Sequence, residues 1–488
     1  MEDPDVARFE PCVGLEVHAQ LKTRSKMFCE CSTSYGAAPN SQVCPVCLGL
    51  PGALPTINTA AVELALRLAA SLGCDVNRVS VFARKSYFYP DLPKGYQISQ
   101  YDRPLCEGGE VEFDGRRVGL IRMHLEEDAG KSIHSSEGQT LLDMNRSGLP
   151  LLEIVSEPTL RAPCEAVSCL EALRQLMRYA DVCGGDMEKG ELRCDVNVSV
   201  RPEGQREMGV NTEIKNLNSF SAVERSLEFE IARQAEYLKA GRAVAKETLL
   251  WDESAGRCLP MRSKEHAHDY RYFPDPDLPP LAVGRALLEA ARRKLPELPR
   301  ARRARFSSEY GLTVDDARRL TSSREMADYF EECVRAGALP EAAANWIVTE
   351  VFRVLKARRI EIGLLPIGPE SLAGLLALMS AGSVSRTSAK AVFDEMAEGG
   401  GEPDAIVRRK GLFKVSDRGI IGDAVKTVLE RERRAAGQYR SGEVEALEFL
   451  IGATMRELSG AGDPRVVREM LEDALGGPTS SPAGSEED

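Results

Sequence analysis

The segment VGLEVHAQL, residues 13 to 21, carries Glu16, His18 and Gln20 at every second position. In an extended strand successive side chains alternate faces, so these three share one side while Leu15 and Val17 take the other. A carboxylate and an imidazole two residues apart on one face suit a divalent metal or acid–base work. Four further strand-like segments carry acidic residues: RMHLEEDAGK, LPLLEIVSE, ELRCDVNVSVR and NTEIKNLNSF. A solvated outer face would explain any one of them. Five within about 200 residues fit a metal–nucleotide site better than a plain core.

In ELRCDVNVSVR, Leu192, Cys194, Val196, Val198 and Val200 face one way, and Arg193, Asp195, Asn197, Ser199 and Arg201 the other. Asp195 and Asn197 are hard oxygen ligands suited to magnesium. Glu213 and Lys215 repeat the arrangement in TEIKN, and Glu153 interrupts the apolar run of LPLLEIVSE. A carboxylate buried there needs a partner. In RKSYFYPDLPKGYQISQ, residues 84 to 100, Lys85 suits phosphate or carboxylate charge. Tyr87, Phe88, Tyr89 and Tyr96 suit either stacking on a base or packing of a proline-pinned loop. His266 and His268 make a poor metal site, since isolated histidines lack the remaining ligands.

Cys29, Cys31, Cys44 and Cys47 stand apart as C-E-C, a twelve-residue spacer and C-P-V-C. Two close pairs joined by a short loop can wrap a tetrahedral zinc with four thiolates. The first pair is tighter than the usual spacing, and a redox role for Cys44 and Cys47 is the lesser reading, because no helix follows to lower a thiol pKa. A closed four-thiolate site has no open position, so this zinc folds a loop and does no chemistry. The chain has thirteen cysteines and no secretory start, which speaks against a disulfide framework.

The elements that must position these groups follow from the rest of the chain. Its 488 residues, 43% hydrophobic, provide for several domains and a sizeable core. No run approaches the roughly 20 apolar residues of a membrane span. The acidic N-terminus resembles neither a signal nor a transit peptide, so a cytoplasmic protein is expected. The net charge of −12 argues against indiscriminate nucleic-acid binding but not against a local basic patch. Eight Lys/Arg between Arg285 and Arg305 form one such run, and residues 404 to 476 are neutral, with thirteen basic and thirteen acidic side chains.

Residues 1 to about 295 mix short alternating segments with helical ones at 58–73, 164–180 and 221–241. Strands do not alternate regularly with helices, so the fold class is α+β with an antiparallel sheet. No glycine-rich phosphate loop is present. KLPELPRARRARF, residues 294 to 306, marks a boundary, after which the pattern is nearly all helical. Gly399, Gly400, Gly401 and Pro403 mark a second, and the polar end GGPTSSPAGSEED reads as disordered. The expected domains are 1–295, 296–403 and 404–476, with a tail at 477–488.

Taken together, GLEVHAQL, the CEC…CPVC loop, RKSYFYPDLPKGYQISQ, HLEEDAGKSIH, DMNRSGLPLLEIVSEP, ELRCDVNVSVR, TEIKNLNSF and DYRYFPDPDLPPL closely resemble the B subunits of aspartyl/glutamyl-tRNA(Asn/Gln) amidotransferases. PELPRARRARF, NWIVTEV, KGLFKVSD and EALEFLIGATMREL extend the resemblance over nearly the whole chain. The resemblance implies an antiparallel-sheet cradle domain with flanking helices, then an all-α helical domain and a small helical tail domain that touches tRNA. It implies a heterotrimer with an amidase A subunit, which frees ammonia from glutamine, and a small C subunit. ATP then phosphorylates the side-chain carboxylate of Glu or Asp misacylated on tRNA(Gln) or tRNA(Asn), and ammonia displaces phosphate.

Carried over by motif, the resemblance assigns catalysis to Glu16, His18, Lys85, Glu127, Glu153, Asp195 and Glu213, with Lys85 and Asn197 at the nucleotide or substrate. Magnesium goes to Glu16, His18, Glu127 and Glu153, and structural zinc to Cys29, Cys31, Cys44 and Cys47. Glu126 rivals Glu127, because alternation alone would set Glu126 with His124. Some members of the family lack the cysteines, which favours a structural metal. His266 stands where the family often has an acidic or small residue. The competing expectation is a tRNA-binding zinc scaffold without catalysis of its own.

Overall fold

Alternation of apolar and polar residues makes residues 9 to 20 the central strand of the molecule. In a computed structural model, which describes residues 9–134, 138–261, 270–413, 418–458 and 462–476, strand β1 runs from Phe9 to Gln20. Val13, Leu15, Val17 and Ala19 are buried on one side, and Glu16, His18 and Gln20 are half-buried on the other. The strands that build the site follow in chain order: β2 (Ala83–Ser86), β3 (Tyr96–Ser99), β4 (Arg116–Glu127), β5 (Pro150–Ser156), β6 (Leu192–Pro202), β7 (Thr212–Leu217), β8 (Thr248–Asp252) and β9 (Arg257–Pro260). Six of them join β1 to form most of a ten-stranded sheet in the order β9-β8-β7-β6-β1-β5-β4, which Cys106–Glu107 and Asp75–Val76 extend. Strands β2 and β3 pair with each other in a separate small sheet.

The apolar face of the sheet is covered by helices. Helix α1 (Thr59–Ser71) starts at Asn58, whose side chain accepts from the amides of Ala60 and Ala61, as an N-cap should. Helix α2 (Pro163–Tyr179) buries Ala166, Cys169, Leu170, Leu173 and Met177 at three- and four-residue spacing. Helix α3 (Phe220–Lys239) is capped by Ser219 and buries Ala222, Val223 and Leu227. All three share one core with Val13, Leu15, Val17, Val196 and Val198. These helices cover the apolar face, and the other face carries the polar side chains of the strands.

The fold class is the expected α+β, with one difference. The sheet is mixed, because β7 and β8 pair in parallel, Glu213 opposite Thr248. The cause is α3, which carries the chain from the end of β7 back to the start of β8 as a crossover.

Contacts divide the chain into residues 1–299 and 300–488. The second unit is helical among its described residues. One core there gathers Phe306, Phe330, Trp346 and Phe393, and another gathers Ile421, Leu450 and Leu471. Among the described residues no helix is long and apolar enough to cross a membrane. His266, His268 and the tail 477–488 lie outside the described residues.

Candidate active site and cysteine cluster

Strand register brings four side chains into one row across the polar face. His124 on β4 lies opposite Glu153 on β5, Glu153 opposite His18 on β1, and His18 opposite Arg193 on β6. Directly opposed residues point to the same face, so this row is a consequence of pairing alone. One oxygen of Glu153 lies 3.3 Å from His18 Nε2 and 3.4 Å from His124 Nε2. Glu126 stands 3.6 Å from His18 Nε2 and 3.8 Å from His124 Nε2. Glu16 is 3.9 Å from His18 Nε2. These ligand atoms fall into two overlapping groups able to hold a metal, Glu16–His18–Glu153 and His124–Glu126–Glu153.

The electrostatics follow from crowding. Burial alone would lower the His18 pKa, but the hydrogen bond to Glu153 and the charges of Glu126, Glu153 and Glu16 outweigh it and raise it to about 9. His124 is raised to about 9 in the same way, against burial, by Glu153 and Glu126. Glu153, despite burial, is held well below the usual carboxylate range by the two imidazoles. Glu16 is raised, first by burial and then by Glu153.

Next along β6, Asp195 opposes Glu16 and takes an ion pair from Lys215 at 2.5 Å. Lys215 also reaches Glu213 at 2.8 Å. Asn197 opposes both Gly14 and Glu213 and accepts from Asn211 at 2.8 Å. Lys85 on β2 lies 4.9 Å from the centre of the Tyr270 ring. Burial acts to lower its pKa, but Tyr272, Glu126 and Glu153 raise it on balance. Thus Glu16, His18 and Glu153 gather closely, Asp195, Glu213 and Asn197 lie on neighbouring rungs, and Lys85 sits in the field of the carboxylates. The loop aromatics divide: Tyr87 packs edge-on against Tyr89 and Tyr270, while Phe88 is 89% exposed.

Glu127 does not join this group. It points to the opposite face of β4, where it is buried, pairs with Lys94 and accepts from the amide of Ile98 at 2.9 Å. Glu126 takes the position at His18, because side-chain direction in a strand follows parity and Glu126 shares parity with His124. His124 joins the site without having been assigned a role in it, although the same alternation is the signal for it. Lys215 and Arg193 are visible on their strand faces, but nothing local tells that Arg193 reaches across to Asp128 at 2.5 Å.

The cysteine pairs close on each other. The Sγ atoms of Cys29, Cys31, Cys44 and Cys47 all lie within 4.8 Å of one another, and those of Cys44 and Cys47 are 3.9 Å apart. Zinc–sulfur bonds of about 2.3 Å in a tetrahedron need sulfurs about 3.8 Å apart, so the residues fit a four-thiolate zinc. Cys47 is the thiol most ready to ionise. Donation from Cys29, the amide of Cys44 and the charge of Lys26 bring it down to about 4 against burial.

Two family models match the chain: a GatB/GatE catalytic domain over residues 11–289 and a GatB domain over residues 328–475. Proteins named as the B subunit of an aspartyl/glutamyl-tRNA(Asn/Gln) amidotransferase are similar along almost their whole length. That of Carboxydothermus hydrogenoformans is 49% identical over 96% of this chain and 99% of its own. That of Chlorobaculum tepidum is 49% identical over 96% and 99%, and that of Prosthecochloris aestuarii 50% identical over 96% and 98%.

Proposed function

This chain belongs to the GatB/GatE family, and on that premise we propose that it is the amidating component of a tRNA-dependent amidotransferase. Its substrates are Glu-tRNA(Gln), Asp-tRNA(Asn) or both, with ATP to activate the side-chain carboxylate and ammonia drawn from glutamine by a partner amidase. A small third protein completes the heterotrimer, in the cytoplasm. The observation that carries this reading is the row His124–Glu153–His18–Arg193 with Glu16 and Glu126 beside it.

Amidation of a carboxylate needs a better leaving group than oxide. A carboxylate oxygen attacks the terminal phosphorus of ATP and ADP leaves. Ammonia then attacks the acyl carbon, phosphate leaves and a proton is lost. Glu16, His18, Glu126 and Glu153 would hold magnesium, which when bound offsets charge on the phosphates. Lys85 offers a positive charge to the phosphates or to the substrate carboxylate. Lys215 bridges Asp195 and Glu213 and fixes Asp195 beside Glu16. Zinc in the cysteine cluster would hold a loop and take no part in the reaction.

The test is co-expression with the two partner proteins, followed by separate assays of Glu-tRNA(Gln) and Asp-tRNA(Asn) with ATP, magnesium and ammonium chloride. Ammonium bypasses glutamine hydrolysis. Gln-tRNA formed by the wild type and lost in Glu16→Gln is the expected result. An intact complex that binds tRNA yet makes neither Gln-tRNA nor Asn-tRNA would leave only a scaffold.

A further inference from the structure

Lys26 is a lysine with no exposed surface. An ammonium removed from water is costly unless it is paired, and among the described residues no carboxylate comes within ion-pair distance of it. Its three protons go elsewhere. Nζ donates to the carbonyl of Gln42 at 2.7 Å, to the carbonyl of Met144 at 3.4 Å and to Sγ of Cys47 at 3.7 Å. Its own amide donates to the carbonyl of Cys31 at 3.0 Å. Lys26 is therefore tied by its backbone to one cysteine pair and by its side chain to the other.

The chemistry of the cluster supplies the missing counter-charge. Four thiolates around a divalent ion leave an excess of negative charge on sulfur, within a loop that is partly shielded from water. Among the described residues few donors answer it: the amide of Cys44 reaches Cys47 Sγ at 3.2 Å, the backbone of Cys31 donates to Cys29, and Lys26 brings the full positive charge. We propose that Lys26 is the outer cation of the cysteine cluster, which donates to Cys47 and sets how tightly the four thiolates hold their metal. This rests on the reading of the cluster as a zinc site. It assigns the buried lysine a positioning role towards the metal beyond that of tying two loop carbonyls together.

The test uses the full chain with zinc and, in parallel, cobalt(II). Zinc content is measured by mass spectrometry and affinity by competition with a chromophoric chelator, for the wild type, Lys26→Met and Lys26→Gln. Both variants should lose zinc affinity by roughly 10- to 100-fold, the usual effect of removing a group that supports a metal ligand. In the cobalt protein the sulfur-to-metal charge-transfer band should move to longer wavelength in both variants, since sulfur without a cation beside it gives up its electrons more readily. A lysine that only braced two carbonyls would not move that band.

If either variant folds only with excess zinc, the zinc concentration at half-refolding reads the same affinity and should be raised. Variants that match the wild type in affinity and cobalt spectrum overturn the inference while the zinc site stands. Variants that stay unfolded at saturating zinc also overturn it, as Lys26 would then serve the fold without regard to metal. A wild type that binds neither ion removes both the zinc reading and this one.

Discussion

At the scale of single residues, two adjacent glutamates separate by parity. Glu126 stands among His18, His124 and Glu153, whereas Glu127 is sealed on the other face with Lys94. Replacing Glu127 by Gln leaves a buried ammonium without its counter-charge, which should cost about 3–5 kcal/mol of stability in urea unfolding. Glu126→Gln should keep the fold and lose magnesium binding by titration calorimetry. The reverse pattern would return the metal to Glu127. The two histidines add a pH dependence. Their folded values near 9 lie above the ordinary 6.5, so their protonated forms stabilise the metal-free fold fully below about pH 6.5, and this is lost as pH rises through about 9. Melting in EDTA should therefore fall by several degrees across that window. His18→Gln should flatten the slope, and a wild type with no slope would contradict the assignment. Glu153, held low, acts in the opposite sense: its contribution is lost as the solution turns acid.

At the scale of elements, the strands of the site are legible in the sequence because their periodicity is local. LRCDVNV alternates buried and half-buried residues as β6, and LEVHAQ does so within β1. Pairing partners are not legible, because hydrogen bonds between distant segments set them. The parallel β7–β8 pair shows this: spacing predicts a helix at α3, but not that it crosses over. What holds α3 down is a buried network. Glu230, with no exposed surface, accepts from Thr212 at 2.9 Å, from Gln234 at 2.8 Å and from Arg233 through both oxygens. Because Arg233 is partly exposed and also reaches Glu247, Glu230→Gln should cost about 2 kcal/mol by urea unfolding. An unchanged midpoint would show that apolar packing alone docks the helix.

At the scale of the whole molecule, net charge and composition bear on partners more than on fold. The protein carries −12 overall, so tRNA must be held over limited surfaces, and the neutral segment 404–476 is the proposed reader. Its apolar core around Ile421, Leu450 and Leu471 is made from its own residues. A chain ending at Phe413, which keeps Ile406 and Val407 in the core around Phe330 and Phe393, should keep the magnesium titration of the full chain and lose tRNA affinity in a filter-binding assay. Undiminished tRNA binding would move the reader elsewhere, with the basic run at 285–305 as the next place to look.

Composition and spacing by themselves determined that the chain holds polar strand faces set with carboxylates, two close cysteine pairs and a helical second half, because each of these is written in short stretches of chain. Tertiary structure decided the rest. Only the insertion of β5 between β1 and β4 lets Glu153 bridge His18 and His124. Alternation separates Glu126 from Glu127, but only the register of β4 against β5 sets the His124 and Glu126 face beside Glu153. Only the folded loop brings Lys26 to Cys47. Strand order and register depend on hydrogen bonds and burial between segments over 100 residues apart, and no local pattern encodes them.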